Sequence, residues 1–520
     1  MLLLPSIEGK WAMSKLFKDE TYIGIVLSLL ATGINLIVGL VLVPTLLNNL
    51  GQSEYGLYQL IGSFISNLAI MDMGFGVTIT RYVSRYTAEN NQTAINKFLS
   101  TIVVVYCILS AVAMIIGIII YNNVQNIFSM SLSSEQILKA KQMVSMLIFS
   151  IVLTIFGQMF IGILTAYQKY IFQKLALIIK GLSTLIFSIL IVIGGTDSVG
   201  LTRLNVAINI LYYIVIGLFA FKSCTFHLQL GLFEKQIMRK ASGFAFFVFC
   251  QMAMAELYFK SGQLILGIMC DTSTTAVYSI AIIIYSVFYN FTAAISTVVL
   301  PKASQFAAKT TDGHKVTCFI IRPSRIITAF YLLMVIGFIC CGKQFVFMWS
   351  GHNFEAAYYI VVILSLASIV PRALSPAIDI ARAYNEHRIL TSILASSGLV
   401  IVFLSIIFIK LYGVLGTALA TSIALILSNS VGVSLYIKRK FNIDLKLLYK
   451  GVFSGIWIPA VVSLLFGVLF NIIYPEYTLM LLILKCLLIT CVFLLAIYFF
   501  GLNNEEKRIF NSLKQKLGGK

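Results

Sequence analysis

Long apolar stretches, separated by short polar segments, follow one another along almost the whole chain. A run of about 20 apolar residues can cross a hydrocarbon core of about 30 Å as a helix. We find fourteen such windows. They lie near 21–43, 56–79, 99–120, 143–166, 172–194, 204–222, 243–269, 275–300, 325–347, 356–378, 390–410, 413–436, 449–472 and 477–500. The pattern predicts an all-α, polytopic membrane protein of about fourteen transmembrane helices.

Basic residues are distributed unevenly between the two sides that this pattern defines. With the N-terminus inside, 29 lysines and arginines fall in cytoplasmic segments and five fall outside. The outside ones are Lys139, Lys141, Arg203, Lys343 and Lys410. This asymmetry follows the positive-inside rule, so we expect a multi-pass membrane protein with both termini cytoplasmic. The net charge of +19 then reflects loops that face anionic lipid rather than nucleic acid.

Composition excludes several other classes of protein. The chain is 59% hydrophobic and 11% charged, whereas soluble domains carry about 25% charged residues. The nine cysteines and four histidines form no metal-ligand pattern, and no phosphate-binding glycine loop occurs, so we expect no metal and no cofactor. The longest outside connection, about 121–142, is too short for a separate catalytic domain. A membrane-bound polymerase or ligase is therefore disfavoured, and transport is favoured.

An internal repeat divides the chain. Tyr58 and Ser84 match Tyr278 and Ser304 at one offset of 220 residues. Six helices per repeat give two parallel, pseudo-symmetric lobes with a V-shaped cavity at their interface. The predicted division is a cytoplasmic segment 1–20, an N-lobe 21–222, a C-lobe 243–438, two extra helices in 449–500, and a cytoplasmic tail 501–520.

The first 90 residues resemble a known family. An apolar helix ending at Pro44 leads into GQSEYGLYQL, and MDMGFGVTITRYVSRYTAEN follows at residues 71–90. The Leu50-Gly51 turn and the Asp72-x-Gly74 sequence ahead of Arg81 complete the pattern. In this order and spacing the features resemble Wzx-type O-antigen and capsule-unit flippases of the multidrug/oligosaccharidyl-lipid/polysaccharide exporter superfamily.

The resemblance implies a function and its partners. Such flippases lie in the bacterial plasma (inner) membrane and move an undecaprenyl-diphosphate-linked oligosaccharide to its outer leaflet by alternating access coupled to an ion gradient. The expected partners are the lipid-linked oligosaccharide, membrane lipids, H⁺ or Na⁺ as coupling ion, and a polysaccharide polymerase or export complex. The pathway would be O-antigen, capsule or exopolysaccharide synthesis.

An anionic, hydrophilic substrate needs cationic side chains at membrane depth. The windows place four there, namely Lys180, Lys260, Arg372 and Lys485. Arg372 is the first candidate phosphate ligand, because Pro371 and Pro376 flank it and free backbone groups beside a cavity. Its alternative role is helix packing or snorkelling. Lys180 is open to a substrate or a structural role, and Lys485, outside the repeat, is expected to be structural.

Acidic residues and the cytoplasmic rim supply the remaining candidates. Glu256 and Lys260 lie four apart on one helical face, either as a structural pair or as a cavity pair whose carboxyl titrates during transport. Asp72 is a second ion-coupling candidate, unless it is a structural carboxylate near a helix end. Arg81 and Arg85 could attract a diphosphate at the cytoplasmic mouth or could simply follow the positive-inside bias.

A drug or metabolite antiporter of the same superfamily is the alternative function. A transporter of cationic drugs is expected to have an acidic, aromatic cavity. The ionisable groups in the windows here are mostly basic, which favours an anionic substrate.

Overall fold

The computed structural model describes residues 20–69, 74–129, 131–228, 234–307, 312–384, 387–475, 478–502 and residue 506. Within these residues the chain is almost entirely helical and contains no β-strand. It forms two compact units, Met1–Ala276 and Val277–Lys520. The prediction of an all-α polytopic protein is confirmed.

The first unit is built from seven long helices and the start of an eighth. They are α1 (Glu20–Ala69), α2 (Phe75–Ala88), α3 (Gln92–Ile127), α4 (Ser134–Ala166), α5 (Tyr170–Ile193), α6 (Ser198–Ser223), α7 (Lys235–Met269) and α8 (Thr272–Ala307), which continues into the second unit. Helix α1 packs chiefly on α5, α4 packs on α3 and α6, and α7 packs on α1, α2 and α3. Fully buried Phe98, Tyr106 and Ile155 belong to the core.

A sharp break at Gly51 divides α1 into two helical segments. Gly51 has φ 78° and ψ 168°, which is accessible to glycine and strained for other residues. The break lies at the Leu50-Gly51 turn expected between the first two windows. Just beyond it, Gly56 is so close to the turn before α8 that a Cβ would lie 1.9 Å from the carbonyl oxygen of Thr272.

The second unit contains shorter and more interrupted helices. They are α9 (Gly313–Ser350), a 3₁₀ turn (His352–Phe354), α10 (Glu355–Ala367), α11 (Ile369–Ala373), α12 (Ser375–Ala383), α13 (His387–Tyr412), α14 (Val414–Ala424), a π-helical stretch (Leu425–Gly432), α15 (Val433–Phe441), α16 (Leu445–Phe453), α17 (Trp457–Ile473), α18 (Leu479–Ala496) and a π-helical end (Ile497–Gly501). Helix α9 packs on α10, α11, α16, α17 and α18.

Each of the fourteen windows falls largely on helix, but the number of spans stays a prediction. Among the described residues, ten helices are long and apolar enough to cross a membrane. The number is eleven if α16 and α17, bent by 41°, form one span. The difference arises partly because the first two windows share α1, and partly because the window 356–378 is divided among α10, α11 and α12. The lobe boundaries also stay a prediction.

Candidate functional site

The tenth window is broken into three helices by its proline residues. Turns at Ser368 and Leu374 separate α10, α11 and α12. Proline has no backbone N–H, so Pro376 cannot donate to the carbonyl of Arg372 four residues earlier. The hydroxyl of Ser375 donates to that carbonyl instead, at 2.8 Å. The local sequence thus produces a broken helix in which a side chain satisfies the freed backbone carbonyl.

The Arg372 side chain lies on the face of a tyrosine in the second unit. Its Cζ is 4.1 Å from the ring centroid of Tyr289 on α8. One helical turn earlier on α8, the Tyr285 hydroxyl lies 2.7 Å from Oγ of Ser368, at the first turn of the broken helix. Tyr331 of α9 donates to the carbonyl of Ser365 at 3.1 Å. Tyrosines from α8 and α9 therefore surround the segment that carries Arg372.

Lys180 has a similar environment in the first unit. Its Nζ lies 4.8 Å from the ring centroid of Tyr212 and 5.7 Å from that of Tyr213, both on α6. The Tyr213 ring packs tightly on α4, where a Cβ at Gly157 would lie 2.0 Å from Cδ1 of Tyr213. Lys180 is partly buried, and no carboxylate among the described residues forms an ion pair with it.

The other predicted site residues are distributed along the first unit. Lys260 is partly buried on α7, but the side chain of Glu256 and the whole of Asp72 lie outside the described residues, so both ion-coupling candidates stay predictions. Arg81 and Arg85 are exposed on α2. Nε of Arg85 donates to Glu89 at 2.8 Å, and this hydrogen bond raises the pKa of Arg85 further above its ordinary value.

Two buried cations of the second unit have structural partners. Lys485, 3% exposed on α18, donates to the carbonyl of Cys340 at 2.7 Å and to Oδ1 of Asn471. Arg325 on α9, 5% exposed, donates to Glu506 and to three backbone carbonyls. The carbonyls belong to Gly451 (2.9 Å), Ser454 (2.7 Å) and Gly501 (2.8 Å). Sequence reasoning counted Arg325 only as a cytoplasmic charge and missed this cluster.

Sequence reasoning also missed the tyrosine partners of Lys180 and Arg372. Tyr212, Tyr213 and Tyr289 lie in windows recognised as helical, but they are distant along the chain from the cations that they contact. Tyrosine at membrane depth is a weak signal by itself, because it also occurs in ordinary cores. Among the described residues no group of three or more His, Cys, Asp or Glu side chains gathers to hold a metal ion.

A family model described as polysaccharide biosynthesis protein matches residues 23–307. The match covers more than half of the chain, including both the N-terminal pattern and the Lys180 site. The chain belongs to the polysaccharide biosynthesis protein family. The resemblance inferred from the first 90 residues is therefore confirmed. No curated protein matches the chain significantly in sequence.

Solved structures connect this polysaccharide family member with MOP superfamily transporters by fold. An inward closed conformation of the lipid II flippase MurJ superposes with a TM-score of 0.75 at 18% identity, covering 92% of this chain and 98% of that one. An inward-facing MATE family multidrug transporter gives 0.64 at 14% identity, covering 79% and 94%. A MOP transporter from Pyrococcus furiosus, described by the reverse polarity of its binding pocket, gives 0.53 at 14%, covering 81% and 93%. At these identities the likeness shows the fold alone.

Proposed function

We propose that this protein flips undecaprenyl-diphosphate-linked oligosaccharide units across the bacterial plasma membrane by alternating access. The units would serve O-antigen, capsule or exopolysaccharide synthesis. The observation that carries the proposal is that Arg372, a cation within a predicted span, lies on the ring of Tyr289. The chain that contains it belongs to a polysaccharide biosynthesis family. The fold likeness to a lipid II flippase supports the same class of activity.

The chemistry of Arg372 suits a diphosphate. A guanidinium presents its N–H groups in a planar fork that matches phosphate oxygens, and an aromatic ring against its face stabilises its positive charge. The turns at Ser368 and Leu374 lie on either side of Arg372 in the chain, and its backbone carbonyl accepts from the Ser375 hydroxyl. A diphosphate passing this point would exchange water for charge-assisted hydrogen bonds, each worth about 1.5–3 kcal/mol. Such contacts are strong enough to select an anion and weak enough to release it.

Lys180, in the first unit, would be a second cationic contact for the substrate. An ammonium without a carboxylate partner among the described residues keeps its charge available to an anionic ligand. We include Lys260, Arg81 and Arg85 in the path as predicted, with Arg85 the weakest member because Glu89 already pairs with it. H⁺ or Na⁺ would drive the cycle through Asp72 or Glu256. Both termini would be cytoplasmic, and a polymerase or export complex would receive the flipped unit.

Complementation with charge variants tests the proposal. The chain is expressed in a host that lacks its own O-unit flippase but makes the matching sugar unit, and surface polymer is measured by immunoblot. We expect Arg372→Ala to reduce polymer about tenfold to a hundredfold, because one or more hydrogen bonds to a charged phosphate are lost. Arg372→Lys should retain part of the activity, since the charge remains while the planar fork is lost. Lys180→Ala should also reduce polymer.

Lys446→Ala, an exposed basic position on α16, is the matched control and should leave polymer unchanged. Membrane abundance of every variant is measured from an epitope tag. If Arg372→Ala is as abundant and as active as the wild type, the proposed cationic path is wrong.

A drug antiporter is the second candidate, because MATE transporters share the fold. It predicts resistance to cationic drugs in a susceptible host, and no dependence of surface polymer on this chain. The basic character of Lys180 and Arg372 favours the oligosaccharide substrate over a cationic drug.

A further inference from the structure

An apolar groove lies on the outer surface of the second unit, between α9 and α18. Its volume is about 370 Å³, within the range of small-molecule pockets. Ile326, Phe330 and Leu333 of α9 form one wall, and Leu494 and Ile497 form the other. Ile326 is 52% exposed and Leu494 is 56% exposed, so the groove opens on the side of the protein rather than into its core.

One end of this groove is polar. Its lining there contains Arg322, Arg325 and Glu506. Nε of Arg325 lies 3.1 Å from Glu506, and three backbone carbonyls accept its other hydrogen bonds, so this arginine is fully engaged. Arg322 is exposed and forms no ion pair with any described residue. The groove therefore ends in one positive charge that the described part of the protein does not neutralise.

The length of the groove corresponds to one leaflet. Arg322 and Leu333 are eleven residues apart on the continuous helix α9, which spans about 16 Å at 1.5 Å per residue. Half of a hydrocarbon core of about 30 Å is about 15 Å. In the predicted topology, Arg322 lies at the cytoplasmic surface. An anionic headgroup at Arg322 and an acyl chain extending to Leu333 would therefore lie at their ordinary depths in the inner leaflet.

We propose that this groove is a binding site for one anionic phospholipid of the cytoplasmic leaflet. The phosphate contacts Arg322, and one acyl chain fills the space between α9 and α18. Charge complementarity selects the anionic lipid, because the three charged lining residues, Arg322, Arg325 and Glu506, leave one net positive charge. The lipid would hold α18 against α9. The proposal is independent of which substrate the protein transports.

Native mass spectrometry of the purified full-length protein in detergent tests the site. Phosphatidylglycerol and phosphatidylcholine of identical acyl chains are titrated separately. We expect one phosphatidylglycerol per chain to be retained at least fivefold more strongly than phosphatidylcholine. Arg322→Gln should remove this preference, since one basic side chain changes the affinity for an anionic lipid about fivefold. Ala329→Trp should abolish retention of both lipids, because the indole fills the groove.

Two matched variants separate this site from general effects. Lys315→Gln removes another exposed charge of α9, and Leu218→Trp adds an indole on α6, where Leu218 is 66% exposed. Neither should change lipid retention. Size-exclusion profiles and melting temperatures establish that Ala329→Trp is folded.

Three results would overturn the proposal. One is phosphatidylglycerol retention that neither Arg322→Gln nor Ala329→Trp alters. Another is retention that only Ala329→Trp reduces, which means that the groove holds a chain without selecting an anion. The third is displacement of phosphatidylglycerol by stoichiometric polyprenyl phosphate, which would assign the groove to the transported lipid instead.

Discussion

Cationic side chains within the predicted spans are stabilised in two different ways. The Lys485 ammonium donates to a backbone carbonyl and to an amide oxygen, so its donors serve the fold. Lys180 and Arg372 lie on tyrosine rings, a contact that stabilises the charge through the face of the ring. An intramembrane charge costs about 2.5–3.5 kcal/mol on insertion scales, so both arrangements need a reason. The first holds helices together, and in the proposed function the second serves the substrate.

The role of Lys485 can be tested with a double-mutant cycle. Asn471→Leu should destabilise the protein more than Lys485→Met, because it leaves a buried ammonium with a single carbonyl partner. We expect each single change to cost about 1–3 kcal/mol, and the double variant to cost less than their sum. The measurement is the midpoint of SDS-induced unfolding in mixed micelles.

Asn122→Leu, at an exposed position on α3, serves as the control for replacing asparagine by leucine. Additive effects of the two substitutions would mean that Lys485 and Asn471 act independently, contrary to their hydrogen bond.

Sequence alone identifies buried charges but not their partners. Lys180, Arg372 and Lys485 are evident because each interrupts an apolar run. Arg325 lies at the edge of its window and was assigned to the loop. Its partners, Gly451, Ser454 and Glu506, come from segments far along the chain. The packing of α16 and α18 on α9 brings these partners to Arg325.

At the scale of helices, the period of apolar residues predicts where helices lie better than where they break. Within the described residues every window lies largely on helix, and the Leu50-Gly51 turn was expected, yet the windows do not show the two breaks that divide α10–α12. Gly51 and the prolines at 371 and 376 are visible in the sequence, but similar residues are tolerated elsewhere, as Pro44 is inside α1. At Pro376 the freed carbonyl of Arg372 accepts from the Ser375 hydroxyl, a local partner that the apolar pattern does not reveal.

The packing of α1 on the α7–α8 turn gives a prediction at this scale. Gly56→Ala should destabilise the protein by about 1–3 kcal/mol, because its Cβ would clash with a backbone carbonyl at Thr272 that cannot rotate away. Nearby hydrogen bonds, such as that between Ser53 and Thr272 at 3.0 Å, should weaken as the turn shifts. The measurement is the melting temperature in detergent.

Gly62→Ala is the matched control on the same helix, since no atom lies within 4 Å of its added Cβ. It should leave stability unchanged or raise it slightly, because alanine has a higher helix propensity than glycine. Equal melting temperatures for the two alanine variants would contradict the close approach at Gly56.

For the whole molecule, the distribution of charge and the number of spans depend on each other. With fourteen spans, 29 basic residues fall inside and five fall outside. If one span before a given loop did not cross, that loop would lie on the opposite side of the membrane. The broken segments are the places where such a change would occur. Three windows, 356–378, 390–410 and 413–436, lie between Asn353 and Asn442. If all three cross, these two asparagines lie on opposite sides of the membrane.

Reporter fusions at these positions measure the result. Alkaline phosphatase fused after Asn353 should be active, as expected outside, whereas green fluorescent protein fused after Asn442 or at the C-terminus should fluoresce, as expected inside. Fusions of each reporter at the opposite position are the controls and should be silent. Active phosphatase at both asparagines would mean that an even number of windows crosses between them. Because turns divide α10–α12, whereas α14, the π-helical stretch and α15 together form one candidate span, Val414–Phe441, we would then assign the missing crossing to the segment that carries Arg372, and the proposed cationic path would have to be moved.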